Sequence, residues 1–170
     1  GHFDTETDTE SRLDIPHVST LAAIPGAWLQ PWSGAYCVRV TLVNDGSPAD
    51  AYLQETGDWD LAADGTIWFR FHFMLSPDTV MADTNEFAIF QLWSSTSTVE
   101  GGVYINYTTA AGFRVGIGET AATQLKPLVL GKWHTFEVGF NIDAGGGNDG
   151  TIDAYLDNSA YTQVTALDQG

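Results

Sequence analysis

Alternation between apolar and polar positions is the dominant pattern along this chain. In residues 66–76, TIWFRFHFMLS, the positions Ile67, Phe69, Phe71, Phe73 and Leu75 are all apolar, while Trp68, Arg70, His72 and Met74 between them are mixed. Period two marks a half-buried strand, because successive side chains of extended backbone leave opposite faces. Over 133–141, Phe136, Val138 and Phe140 oppose Thr135, Glu137, Gly139 and Asn141. Over 102–107, Val103, Ile105 and Tyr107 oppose Tyr104 and Asn106. Strict alternation over 86–93 sets Ala88, Phe90 and Leu92 against Phe87, Ile89, Gln91 and Trp93. Further strands are expected over 36–42, 51–55, 112–117, 152–156 and 160–164. Turns are expected at Asn44-Asp45-Gly46, Asp64-Gly65, 110–112 and Asn148-Asp149-Gly150, since Asn/Asp-Gly steps tolerate the positive φ of hairpins. No window carries a capped helical period, so little helix is expected. The pattern predicts two antiparallel sheets packed face to face around Phe69, Phe71, Phe73, Phe90, Phe136, Val138 and Phe140.

Composition narrows the function classes. The chain has 170 residues, 44% hydrophobic and 12% aromatic, enough for one domain that buries most of its surface. The segment 1–33 is less regular. It holds an acidic run over 4–10 and an apolar patch over 21–32. No apolar run reaches the ~18 residues of a membrane span. The 22 acidic residues against 6 basic ones give a net charge of −16, which argues against a nucleic-acid backbone as partner. Such acidity suits solubility at high salt, cation binding and an extracellular setting. Cys37 is single, so neither an internal disulfide nor a thiolate zinc site is expected, and its alternation makes it a buried, inert thiol. The chain opens Gly1-His2 without a signal-peptide pattern, and reads as a processed product, an expressed fragment or the ordered part of something longer.

The succession PWSGAYCVRVTL, AYLQE, GTIWFRFHFMLS, FAIFQLW, GKWHTFEVGFNI and DGTIDAYLDN resembles the concanavalin A-like lectin/glucanase superfamily, across roughly residues 33–158. That group includes laminin-G-like modules and polysaccharide lyases. The resemblance implies an all-β jelly roll of two curved antiparallel sheets, whose concave face handles glycans. Two departures stand out. In that group a last strand usually follows the piece resembling DGTIDAYLDN, whereas here the sequence reaches Gly170 shortly after a plausible strand over 162–165, which leaves the sheet to be finished by a neighbouring chain, by a further segment, or not at all. The catalytic motifs of the related enzymes are also absent. The glucanase E-x-D-x-x-E does not occur, and of the lyase Q-[IV]-H only Gln91 remains, with Trp93 in place of the His.

One candidate cluster gathers Trp68, Arg70, His72, Gln91, Trp93, Tyr104, Asn106 and Arg114, provided adjacent strands align their polar faces. Sugars favour this mixture: aromatic rings stack on the C–H faces of a pyranose, and amide or guanidinium groups bind its hydroxyls or carboxylates. The plain alternative is a semi-exposed sheet face with Arg70 or Arg114 paired to Glu137 across strands. A lyase reading would use His72 as base beside Arg70 and Tyr104. His134 reads as a satisfied histidine near a strand start. Calcium is the cofactor this chain suits, since hard cations take carboxylate oxygens. Asp4 and Glu6 look like the superfamily's calcium positions, and Asp143 and Asp149 flank a Gly-rich loop. A solvated hairpin is the alternative there.

The expectation is therefore a non-catalytic extracellular or virion-surface module. It would bind a polysaccharide or glycan, or decorate a capsid or fibre beside other protein subunits. A polysaccharide lyase or glycoside hydrolase, and a purely structural assembly subunit, are the rival readings.

Overall fold

A computed structural model describes residues 13–14, 54–55, 65–93, 98–141 and 149–167 of the chain. Two compact units are present, Gly1–Asp60 and Leu61–Gly170. In the first, β1 (Leu13–Asp14) pairs antiparallel with β2 (Gln54–Glu55). The expected strand over 36–42, the turn at Asn44-Asp45-Gly46 and Cys37 lie outside the described residues.

The described strands of the second unit are β3 (Thr66–Phe73), β4 (Glu86–Trp93), β5 (Val99–Thr108), β6 (Gly112–Gly118), β7 (Gln124–Pro127), β8 (His134–Asn141), β9 (Gly150–Leu156), β10 (Ser159–Ala160) and β11 (Val164–Leu167). They form two antiparallel sheets. Sheet I has the order β10-β9-β8-β3, with β11 also pairing along β9, and sheet II has the order β4-β5-β6-β7. Among the described residues there is no helix, so none is long and apolar enough to cross a membrane.

The inward faces of the sheets meet in an apolar layer, giving a β-sandwich-like all-β fold. Val103, Ile105, Val115 and Ile117 of sheet II, and Phe136, Val138, Phe140 and Ile152 of sheet I, are fully buried. Phe69, Phe71, Phe73 and Phe90 pack against this centre and are partly buried. Phe90 bridges the sheets, its ring 4.7 Å from Phe69 and 6.0 Å from Phe140. Gly101 of β5 faces the opposite sheet with no room for a side chain: a Cβ there would stand 2.5 Å from Phe140 Cε1 and 2.9 Å from Ile152 Cδ1.

Three details depart from the sequence pattern. The register of β4 against β5 shifts between Ala88 and Phe90, so Phe87 faces Ile105 and Phe90 faces Val103, both on the core side. Strict alternation had put Phe87 opposite Phe90; the extra residue of a β-bulge carries both inward. β7 carries no alternation that announces it. It is an edge strand ending in Pro127, a residue that edges tolerate. The strand expected over 160–164 is instead two pieces, β10 and β11, on either side of Tyr161. Tyr161 keeps the ladder through its N–H to Ala154 O (2.8 Å). Its ring packs on Phe136, and its hydroxyl donates to Val115 O of sheet II at 2.9 Å. Burial raises the Tyr161 hydroxyl's pKa far above the usual phenol value, so it stays a donor. Beside it, Lys126 of β7 donates to Ser159 O (2.7 Å) and Ala160 O (2.5 Å) and lies over the Tyr161 ring. These two side chains tie the sheets together along one margin.

Phe140→Ala is expected to destabilise the fold by about 3–5 kcal/mol, since the ring is fully buried between both sheets. Equilibrium urea unfolding monitored by far-UV circular dichroism measures this, and a loss below about 1 kcal/mol would contradict the packing described.

Candidate functional site

Because β3 and β4 belong to different sheets, the residues proposed as one cluster separate onto opposite outer surfaces. Trp68, Arg70 and His72 leave sheet I on the side away from the core. Gln91, Tyr104, Asn106 and Arg114 leave sheet II on its far side, and Trp93 is exposed at the end of β4. The trio His72, Arg70 and Tyr104 required for lyase chemistry does not converge.

On sheet II the polar side chains are consumed internally. Glu86 accepts from Ala122 N (3.2 Å) and from Asn106 Nδ2 (3.4 Å), and Asn106 Oδ1 accepts from Arg114 Nη2 at 2.6 Å. Tyr104 is 3% exposed and donates to Glu119 O at 2.5 Å. Burial raises the Tyr104 pKa, as do the Glu86 and Glu119 charges, against a hydrogen bond with Gln91. The segment 119–123 is thereby strapped over the sheet, with Thr123 N bonded to Ile117 O. Arg114 Nε is buried without a hydrogen-bond partner.

Sheet I presents a different surface, in three rows across β3, β8 and β9. The register aligns Trp68, Gly139 and Asp153; then Arg70, Glu137 and Tyr155; then His72 and Thr135. Trp68 is 51% and Tyr155 39% exposed, with ring centroids 6.2 Å apart and planes tilted by 34°. The indole lies directly over Gly139, where a Cβ would stand 2.5 Å from Trp68 Cε2 and 2.6 Å from Cζ2. Only a glycine lets the ring lie down against the sheet. The two rings thus form a platform that crosses β8 diagonally. Arg70 pairs with Glu137 at 2.9 Å, the cross-strand pair read from the sequence as the plain alternative. His72 Nδ1 lies 3.0 Å from Thr135 Oγ1. Gln163 Nε2 donates to both oxygens of Asp153 at 2.9 Å.

Tyr155 escaped the sequence reading of this site, although its signal was there. With Ile152, Ala154 and Leu156 inward, period two sends Asp153 and Tyr155 to the face that carries Trp68. Of the proposed calcium ligands, Asp4, Glu6 and Asp143 lie outside the described residues, and Asp149 is exposed before β9. Among the described residues no three His, Cys, Asp or Glu side chains gather as a metal site would require.

His134 and Asp157 form a further titratable pair. His134 is 3% exposed, its Nδ1 is 2.9 Å from Asp157 Oδ2, and its Nε2 is 3.3 Å from both the N and the O of Val129. Asp157 and Asn158 hold φ of +50° and +66°, the two central residues of the β9–β10 hairpin. The Asp157 carboxylate also accepts from Thr135 N at 2.9 Å and from Lys132 Nζ at 3.4 Å. The arrangement clamps the hairpin to the start of β8 and, among the described residues, brings no nucleophile to the imidazole. No family model matches this chain, and comparison with curated proteins and with solved structures finds no match.

Burial alone would raise the Asp157 pKa. The Thr135 and His134 hydrogen bonds, the His134 charge and Lys132 outweigh burial and hold it below the ordinary carboxylate value. Folding thus favours the ionised form. The resulting stability is present above the unfolded carboxylate pKa of about 4 and is lost as pH falls through the lower folded value. Asp157→Asn is expected to lower the neutral melting temperature and to flatten the acid limb of melting temperature against pH. A limb of unchanged steepness would show that the clamp contributes nothing.

Proposed function

We propose that this domain is a non-catalytic glycan-binding module of the concanavalin A-like jelly-roll class, displayed on a cell or particle surface, with its site on the outer face of sheet I. The observation that carries the reading is the Trp68–Tyr155 platform, two exposed rings at 6.2 Å with the indole laid flat on Gly139. Hydrogen-bonding side chains surround it: Arg70, Glu137, Asp153 and Gln163. A protein-docking patch is expected to have an apolar centre. Rings set among paired polar groups suit a ligand whose faces are C–H and whose edges are hydroxyls. On sheet II the matching polar groups already satisfy one another, which leaves that face the poorer candidate.

Trp68→Ala is expected to weaken binding to a responsive polysaccharide by about 2 kcal/mol or more, roughly 30-fold in Kd, while leaving the melting temperature near wild type. Gly139→Ala is expected to weaken it in the same direction, because the added methyl would displace the indole from the sheet toward its solvent-exposed side. Affinity electrophoresis through gels containing each of a panel of soluble polysaccharides provides the measurement. Retardation that is identical in wild type and both variants would remove the site. A panel without any retardation would favour the structural-subunit reading.

A further inference from the structure

The described cations decide which glycans this face accepts. Arg70 is neutralised by Glu137 at 2.9 Å, Lys132 lies 3.4 Å from Asp157, and Lys126 is spent on Ser159 and Ala160. Arg114 is engaged by Asn106 on the opposite surface. The platform is flanked instead by two carboxylates. Glu137 stands across from Tyr155, and Asp153 stands across from Gly139, the residue over which the exposed indole lies. The whole chain adds a net charge of −16. A uronate or sulfate group placed on these rings would meet like charge and find Arg70, the cation beside them among the described residues, already paired.

Resting on the glycan-binding reading, we infer that the ligand is an uncharged chain of pyranoses with equatorial hydroxyls, held through two consecutive rings, and that acidic polysaccharides are excluded. Equatorial substitution leaves both faces of each ring as flat C–H surfaces, which is what stacking on Trp68 and Tyr155 requires. The 6.2 Å between ring centroids is comparable with the spacing of neighbouring sugars in an extended chain. Asp153, held at both oxygens by Gln163, and Glu137 then accept hydrogen bonds from hydroxyls at the chain's edge. Hydroxyls donate to carboxylates and carboxylate groups cannot, so the residues that repel an acidic chain are those that bind a neutral one.

The test compares two chains that differ only at C6: a β-1,4-glucose hexasaccharide and its C6-oxidised counterpart, a β-1,4-glucuronic acid hexasaccharide. Titration calorimetry at low ionic strength is expected to show the glucan binding about tenfold or more tightly than the oxidised chain. The gap is expected to narrow as salt is raised, because these charges are exposed to screening. Glu137→Gln releases Arg70 and is expected to shift the affinity ratio roughly fivefold toward the oxidised chain. Equal or tighter binding of the oxidised chain by wild type overturns the inference while leaving the platform in place, provided Trp68→Ala still abolishes it. Binding of neither chain, or binding of both that Trp68→Ala does not change, overturns the platform itself.

Discussion

The contact of Phe90 with Phe69, Phe71 and Phe140 is the constraint from which the rest of the molecule follows. β3 and β4 follow one another in sequence yet belong to different sheets, and these rings are where the two strands meet. Aromatic pairs of this kind add about 0.5–1.5 kcal/mol each beyond the area they bury. Once Phe69 and Phe71 are committed to that layer, the pleat sends Trp68, Arg70 and His72 to the opposite side. A slip of one residue would drive Arg70 into the layer without a partner, an outcome whose cost fixes the register.

Strand positions and faces were largely legible in the sequence, because one buried face imposes period two wherever backbone is regular. β3, β4, β6, β8 and β9 lie where alternation places them, to within two residues at the ends. What alternation could not supply was sheet membership. Trp68 and Gln91 look alike as outward residues of successive strands, and only the pairing of β3 with β8 and of β4 with β5 sends them to opposite surfaces. The bulge at Ala88–Phe90 was hidden for a related reason: Phe87, Ile89 and Phe90 are all apolar, so an added residue leaves no polar mark on the pattern. Asp157-Asn158 was a readable turn that went unread, two residues that accept positive φ standing between two strands.

Polar satisfaction separates two surfaces that composition alone would score alike. Both carry arginine, amide, carboxylate and aromatic groups. On sheet II, Glu86, Asn106, Arg114 and Tyr104 hold a strap of backbone against the sheet, and removing one would leave half-buried partners short of a hydrogen bond. On sheet I the pairs Arg70–Glu137 and Gln163–Asp153 stand at the edge of exposed rings. These pairs face solvent, so a ligand hydroxyl can join their bonds without any group being left buried and unpaired.

Gly139 concentrates the trade between stability and recognition in one residue. Glycine within a strand costs roughly 0.5–1 kcal/mol relative to alanine, since it gives up more backbone freedom and packs no side chain. In return the Trp68 indole lies against the backbone of β8 instead of standing free in solvent, so its rotamer is restricted before any ligand arrives. Tyr155, the other half of the platform, sits on β9, whose outer edge is held by β10 and β11. That edge is in turn fastened to the opposite sheet through Tyr161 and Lys126. Rings fixed in this way lose little freedom on binding, and that loss is a main term opposing association for small contact areas. A platform of two rings is too small to hold a flexible chain by area alone. Its capacity to do so depends on how completely the sandwich beneath has already fixed the positions of both.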